Sequence, residues 1–181
     1  MLKKSLPTLL GATLAACLFA ACSPKFDWRD YRSPDASFSA LFPAKPASFT
    51  RTVDLDGVSV NMTMTAAEVD GTTFAVGSAE MADPLKAQAA LLAMKTAMVK
   101  NIGGTIKSEK AVSAASSNGA TSKQKASIEV EASGMQNGTP MLLEGRFVAQ
   151  DKRIYQIIVL GKEKHIVRDS VDTFMSSVKL N

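Results

Sequence analysis

The chain has 181 residues, with 21 Lys and Arg against 17 Asp and Glu, one histidine and two cysteines. Its 46% hydrophobic and 21% charged content suits one domain able to bury its own core. The charges are interspersed and form no dense Lys/Arg block, so nucleic acid is not an expected partner.

Lys3 and Lys4 form a positive start, and Leu6 to Ala21 form an apolar run. That run is short for a membrane span of about 20 residues, and Pro7 and Gly11 interrupt it. The order charge, apolar run, small residues and cysteine is that of an export signal. Leu14-Ala15-Ala16-Cys17 and Phe19-Ala20-Ala21-Cys22 both resemble a bacterial lipoprotein lipobox. The first has the leucine typical of that motif. The second is followed at once by polar Ser23-Pro24-Lys25 and leaves the apolar run whole. Lipidation is therefore expected at Cys22, with Cys17 as the alternative. The resemblance implies acyl chains on that cysteine, a partner membrane reached through the lipid, and, since Ser23 is not aspartate, the periplasmic face of the outer membrane.

Residues 1–21 then read as signal peptide, 22–36 as a tether and 37–181 as one domain. The tether holds Phe26, Trp28 and Tyr31, aromatic types that favour interfaces, and these are the candidate partner contact. Packing of the arm on the domain is the competing reading.

Phe38-Ser39-Ala40-Leu41-Phe42 alternates and stops at Pro43. Phe49 to Leu55, Val58 to Val69 and Thr72 to Glu80 read as strands joined by Asp56-Gly57 and Asp70-Gly71, both strong hairpin signals. Asp83-Pro84 opens a helix that stops at Gly103-Gly104. Its expected core side carries Leu85, Leu91, Leu92, Met94, Met98, Val99 and Ile102, with Lys95 in the same arc. Ile106 to Val112 reads as a strand and Ser113 to Ser122 as an exposed loop. Lys123 to Ala132 alternates, and Met141 to Gln150 and Arg153 to Leu160 form a hairpin about Asp151-Lys152. The nearly unbroken apolar run Tyr155 to Leu160 predicts burial on both faces. A last helix is expected over Lys164 to Val178, with Val167, Val171, Phe174 and Val178 as its stripe.

These elements predict an α+β fold, an antiparallel sheet with helices packed on it as a three-layer α/β/α sandwich. Phe38-Ser39-Ala40-Leu41-Phe42-Pro43-Ala44-Lys45-Pro46, Met98 to Gly104, Gly145-Arg146-Phe147 with Arg153 to Gln156, and Phe174 to Leu180 resemble the PsbP-like family. The resemblance spans about residues 37 to 181 and implies the same sandwich and a docking or assembly role.

Chemistry-bearing sets are sparse. His165 is the only histidine, so no multi-histidine metal set can be built. Glu129-x-Glu131 share a strand face and read as solvated. The methionines Met62, Met64, Met81, Met94, Met98, Met141 and Met175 lie in amphipathic elements and read as core filling rather than copper ligands. No catalytic residue, metal site or cofactor is expected. The reading is a non-catalytic binding or assembly module whose partner is a periplasmic or outer-membrane protein. The alternative is a small-ligand carrier or enzyme that uses a cavity between sheet and helix.

Overall fold

The computed structural model describes residues 25–116 and 123–181. The expected signal peptide, both candidate cysteines and residues 117–122 of the expected loop lie outside that range.

Seven strands form one antiparallel sheet: β3 (Ala47–Leu55), β4 (Val58–Val69), β5 (Thr72–Glu80), β6 (Thr105–Ser116), β7 (Lys123–Gln136), β8 (Thr139–Gln150) and β9 (Arg153–Lys162). Their order is β3-β4-β5-β9-β8-β7-β6. Two meanders therefore meet at β5 and β9, in register from Thr72 opposite Gly161 to Glu80 opposite Arg153. The tight turns follow from local chemistry. Asp56-Gly57, Asp70-Gly71 and Asn137-Gly138 all take positive φ at both residues, as a type I′ hairpin requires. The helix α1 (Pro84–Asn101) crosses from β5 to β6, with the Asp83 carboxylate accepting from the Lys86 amide 2.9 Å away.

The expected three-layer α/β/α sandwich does not form. The described residues hold two α-helices against ten strands in two sheets, and the molecule is sheet-rich. One face of the large sheet is covered by α1, through Ala87, Ala90, Leu91 and Met94 packed on Met62, Met64, Phe147 and Ile158. On the opposite face lies a second, three-stranded sheet, β1 (Arg29–Arg32), β2 (Phe38–Phe42) and β10 (Lys179–Leu180), ordered β1-β2-β10. Beside it lies α2 (Arg168–Ser177). Phe38 and Phe42 of β2 and Val171 and Phe174 of α2 meet Phe74, Tyr155 and Ile157 of the large sheet. The two-sided burial of β9 demanded cover on both faces. On the second face it comes from α2 together with a small sheet that joins part of the expected tether, the expected strand Phe38–Phe42 and the last residues of the chain.

Three boundaries also differ. α2 starts at Arg168, because Glu163–His165 form a separate 3-10 turn. β6 continues to Ser116 and β7 to Gln136, since pairing with neighbours extends strands past the end of their alternation. Leu85 and Leu92 of α1 are 75% and 57% exposed, so the core side of that helix is narrower than its composition suggests.

Candidate functional site, a charged groove beside the second helix

On the face shared with α2, the wing β6-β7-β8 runs past the end of the small sheet. Register fixes what it presents there. Lys110 opposes Glu129, and Glu129 opposes Arg146, so one row across three strands alternates in sign. In the adjacent row Ser108 opposes Glu131, and Glu131 opposes Glu144. Two carboxylates directly opposite each other repel unless a cation joins them.

α2 supplies that cation. Arg168 donates to Glu131 at 3.2 Å and, through its other terminal nitrogen, to Glu144. At the first position of a helix a cation opposes the macrodipole, so both carboxylates also offset a local cost. The other end of α2 is held by Arg146, which donates to the Met175 carbonyl at 2.7 Å and satisfies one of the helix's terminal acceptors. Burial pulls Arg146 below its ordinary pKa, against the opposing pull of Glu129. Burial raises the Glu144 carboxyl above its ordinary value by more than the Arg168 hydrogen bond lowers it, and Glu131 adds to the rise. Burial is the largest single influence on Arg168 and lowers it, but the hydrogen bonds to Glu131 and Glu144 and the charges of both carboxylates together outweigh it and leave it raised.

Between α2 and the wing lies a cavity of about 450 Å³, lined by Lys110, Glu129, Glu131, Glu144, Arg146 and Asp172 among others. A second, of about 240 Å³, shares Glu129 and Arg146 and runs on to Lys125, Val178 and Leu180. Together they make one polar groove bounded by α2 and β10 on one side and by β6 and β7 on the other. Its carboxylates and guanidinium groups answer each other, which ties α2 to the wing.

Glu129 and Glu131, expected on a solvated face, thus line this groove. Arg168, Glu144 and Arg146 were not singled out from the sequence. A signal existed in Glu144-x-Arg146, two charges at period two inside the otherwise buried strand Leu142 to Ala149.

The aromatic arm is brought together elsewhere. Tyr31 packs against Phe38 and Phe42, with ring centroids 5.9 and 5.8 Å away, and its hydroxyl lies 3.3 Å from Ser48 Oγ. Phe26 and Trp28 stack at 5.9 Å and stay half-buried at the surface. Lys25 pairs with Asp70 at 3.0 Å. His165 Nδ1 lies 2.8 Å from the Asp70 carbonyl, and because a carbonyl only accepts, that nitrogen carries the proton. Lys95 is paired with Glu109 at 2.8 Å. Met62, Met64, Met81 and Met94 are buried in the core under α1. Among the described residues no group of three or more His, Cys, Asp or Glu is placed to hold a metal ion. No described helix is long and apolar enough to cross a membrane.

No protein-family model matches the chain, and no curated protein matches it. Among solved structures it is similar to a Pseudomonas aeruginosa protein of unknown function. The match has 10% identity over 76% of this chain and 84% of that one, with a TM-score of 0.37. A likeness at that level carries no argument about what this chain does.

Proposed function

We propose that the chain is an exported lipoprotein, anchored through Cys22 to the periplasmic face of the outer membrane, and that it works as a non-catalytic binding or assembly module. The observation that carries this reading is how the arm after the lipobox-like segment is built. Arg29–Arg32 pair in register with Ser39 to Phe42, and Tyr31 is taken into the aromatic core. Arg29 lies seven positions after Cys22, a reach of at most about 25 Å. An acyl group on Cys22 would therefore hold the whole domain close to the bilayer. The aromatic pair Phe26 and Trp28 remains at the surface beside the anchor, where an envelope protein can be met.

Palmitate labelling of Cys17→Ser and Cys22→Ser variants tests the anchor. Labelling is expected to vanish in Cys22→Ser and persist in Cys17→Ser, and the reverse pattern would move the anchor to Cys17. Substrate turnover by the purified protein would overturn the non-catalytic reading.

A further inference from the structure

The helix α1 carries a second apolar seam. Its buried side is Ala87, Ala90, Leu91 and Met94. Diametrically opposite lie Leu85, Ala89, Leu92 and Thr96, spaced four, three and four residues apart, while Val99 beyond them packs partly against the core. Leu85 is 75% and Leu92 57% exposed, Ala89 and Thr96 are exposed, and Val99 is half-buried. That spacing is the repeat by which one helix seats another. A helix apolar on both sides is ordinarily covered on both, and the described residues cover only one. The seam runs about 16 Å from Leu85 to Thr96. It ends in a cavity of about 450 Å³ lined by Val99, Gly103, Gly104 and Ile106, with Lys95 and Lys100 at its rim.

Charge selects the occupant. The ionisable side chains of α1 are Lys86, Lys95 and Lys100, with no acid among them. Lys95 is paired with Glu109, whereas Lys86 and Lys100 are exposed and make no ion pair with the described residues. We propose that this seam docks an amphipathic helix of another protein, apolar at three-four spacing along one side and acidic along its flanks. A second copy of this chain fits worse. Antiparallel pairing would set Lys86 against Lys100, and parallel pairing would set each lysine against itself. A lipid surface also fits worse, since the middle of the ridge holds the small side chains of Ala89 and Thr96. Moreover, α1 covers the face of the large sheet opposite β1, where the chain arrives from Cys22. The inference deepens the docking-module reading by naming its partner surface.

Two synthetic 21-residue helical peptides serve as probes, both with leucine at three-four spacing, one flanked by glutamate and one by lysine. Their binding to the full-length protein in mild detergent is followed by fluorescence anisotropy. The glutamate peptide is expected to bind at least about tenfold more tightly than the lysine peptide, a difference of about 1.4 kcal/mol. Leu92→Asp and the milder Leu92→Ser should each weaken it about tenfold or more with the melting temperature unchanged. The double variant Lys86→Glu/Lys100→Glu should reverse the preference. Equal binding of the two peptides, no binding of either, or binding indifferent to Leu92 would overturn the proposal. So would a dimer in sedimentation velocity that Leu92→Asp dissolves, or co-sedimentation with phosphatidylglycerol vesicles that it abolishes. Peptide failure alongside intact Cys22 labelling and no turnover would sink the seam and leave the docking-module reading standing.

Discussion

Phe174 shows what a single side chain contributes here. It is fully buried where α2 meets both sheets, 5.3 Å from the Phe42 ring and 5.5 Å edge-on to Phe74. Phe174→Ala removes the atom set that joins three elements, and the surrounding strands cannot collapse onto the gap without losing their ladders. The expected cost is about 3–5 kcal/mol, read as a fall in the urea midpoint with an unchanged slope. An unshifted midpoint would remove α2 from the core. Glu144 makes a different statement. Its carboxyl is raised by burial, with the Arg168 hydrogen bond opposing and Glu131 adding. A carboxyl whose folded pKa lies above its unfolded one binds protons more tightly when folded. Its contribution to stability therefore declines as pH rises from about 4.3 through the raised value. Glu144→Gln abolishes that decline. Urea midpoints from about pH 4 to about pH 7 should show the variant gaining on the wild type as pH rises. A variant that loses ground over that window would mean that the ion pair with Arg168 outweighs burial.

At the scale of elements, α1 and β7 are locked by backbone contact rather than by side chains alone. A Cβ built on Gly134 would lie 2.1 Å from the Ile102 carbonyl oxygen and 2.8 Å from Gly104 Cα. No rotamer change relieves a clash with main chain. Gly134→Ala is therefore expected to push the C-terminal end of α1 off the sheet, at a cost of about 1–3 kcal/mol or more. Faster amide exchange at Gly103 and Gly104, whose amides bond the Lys100 and Val99 carbonyls, would locate the damage. Unchanged exchange there would show that the close approach is not what holds α1. Most element positions were legible beforehand. The Asp-Gly turns, the Asp83-Pro84 start and the period-two strands are local signals, set by φ, capping and pleat. The width of α1's core face was not legible, because Leu85 and Leu92 are chemically indistinguishable from Leu91.

At the scale of the molecule, the large sheet is a central layer, and what lies on each face was decided differently. The small sheet unites residues near the beginning of the chain with its last ones, through Lys179 opposite Ser39 and Leu180 opposite Phe38. Trp28 and Tyr31 are half-buried against it. Replacing both with alanine is expected to cost about 3–5 kcal/mol, roughly half the full-burial value for each. The melting temperature should fall by on the order of 10 °C. Loss of partner co-purification with an unchanged melting temperature would instead make the arm a contact and not a structural strand.

The sequence by itself determined the local elements, the apolar face of each strand and the need for cover on both sides of Tyr155 to Leu160. These depend on neighbours within a few residues. Tertiary structure alone decided that a small sheet joins α2 on the second face, because β1, β2 and β10 pair across the length of the chain. It alone created the charged groove, since Glu131, Glu144 and Arg168 acquire their relation from strand register and from where α2 lands. It alone left Leu85 and Leu92 in solvent, because α1 meets the sheet along one side and nothing among the described residues packs on the other.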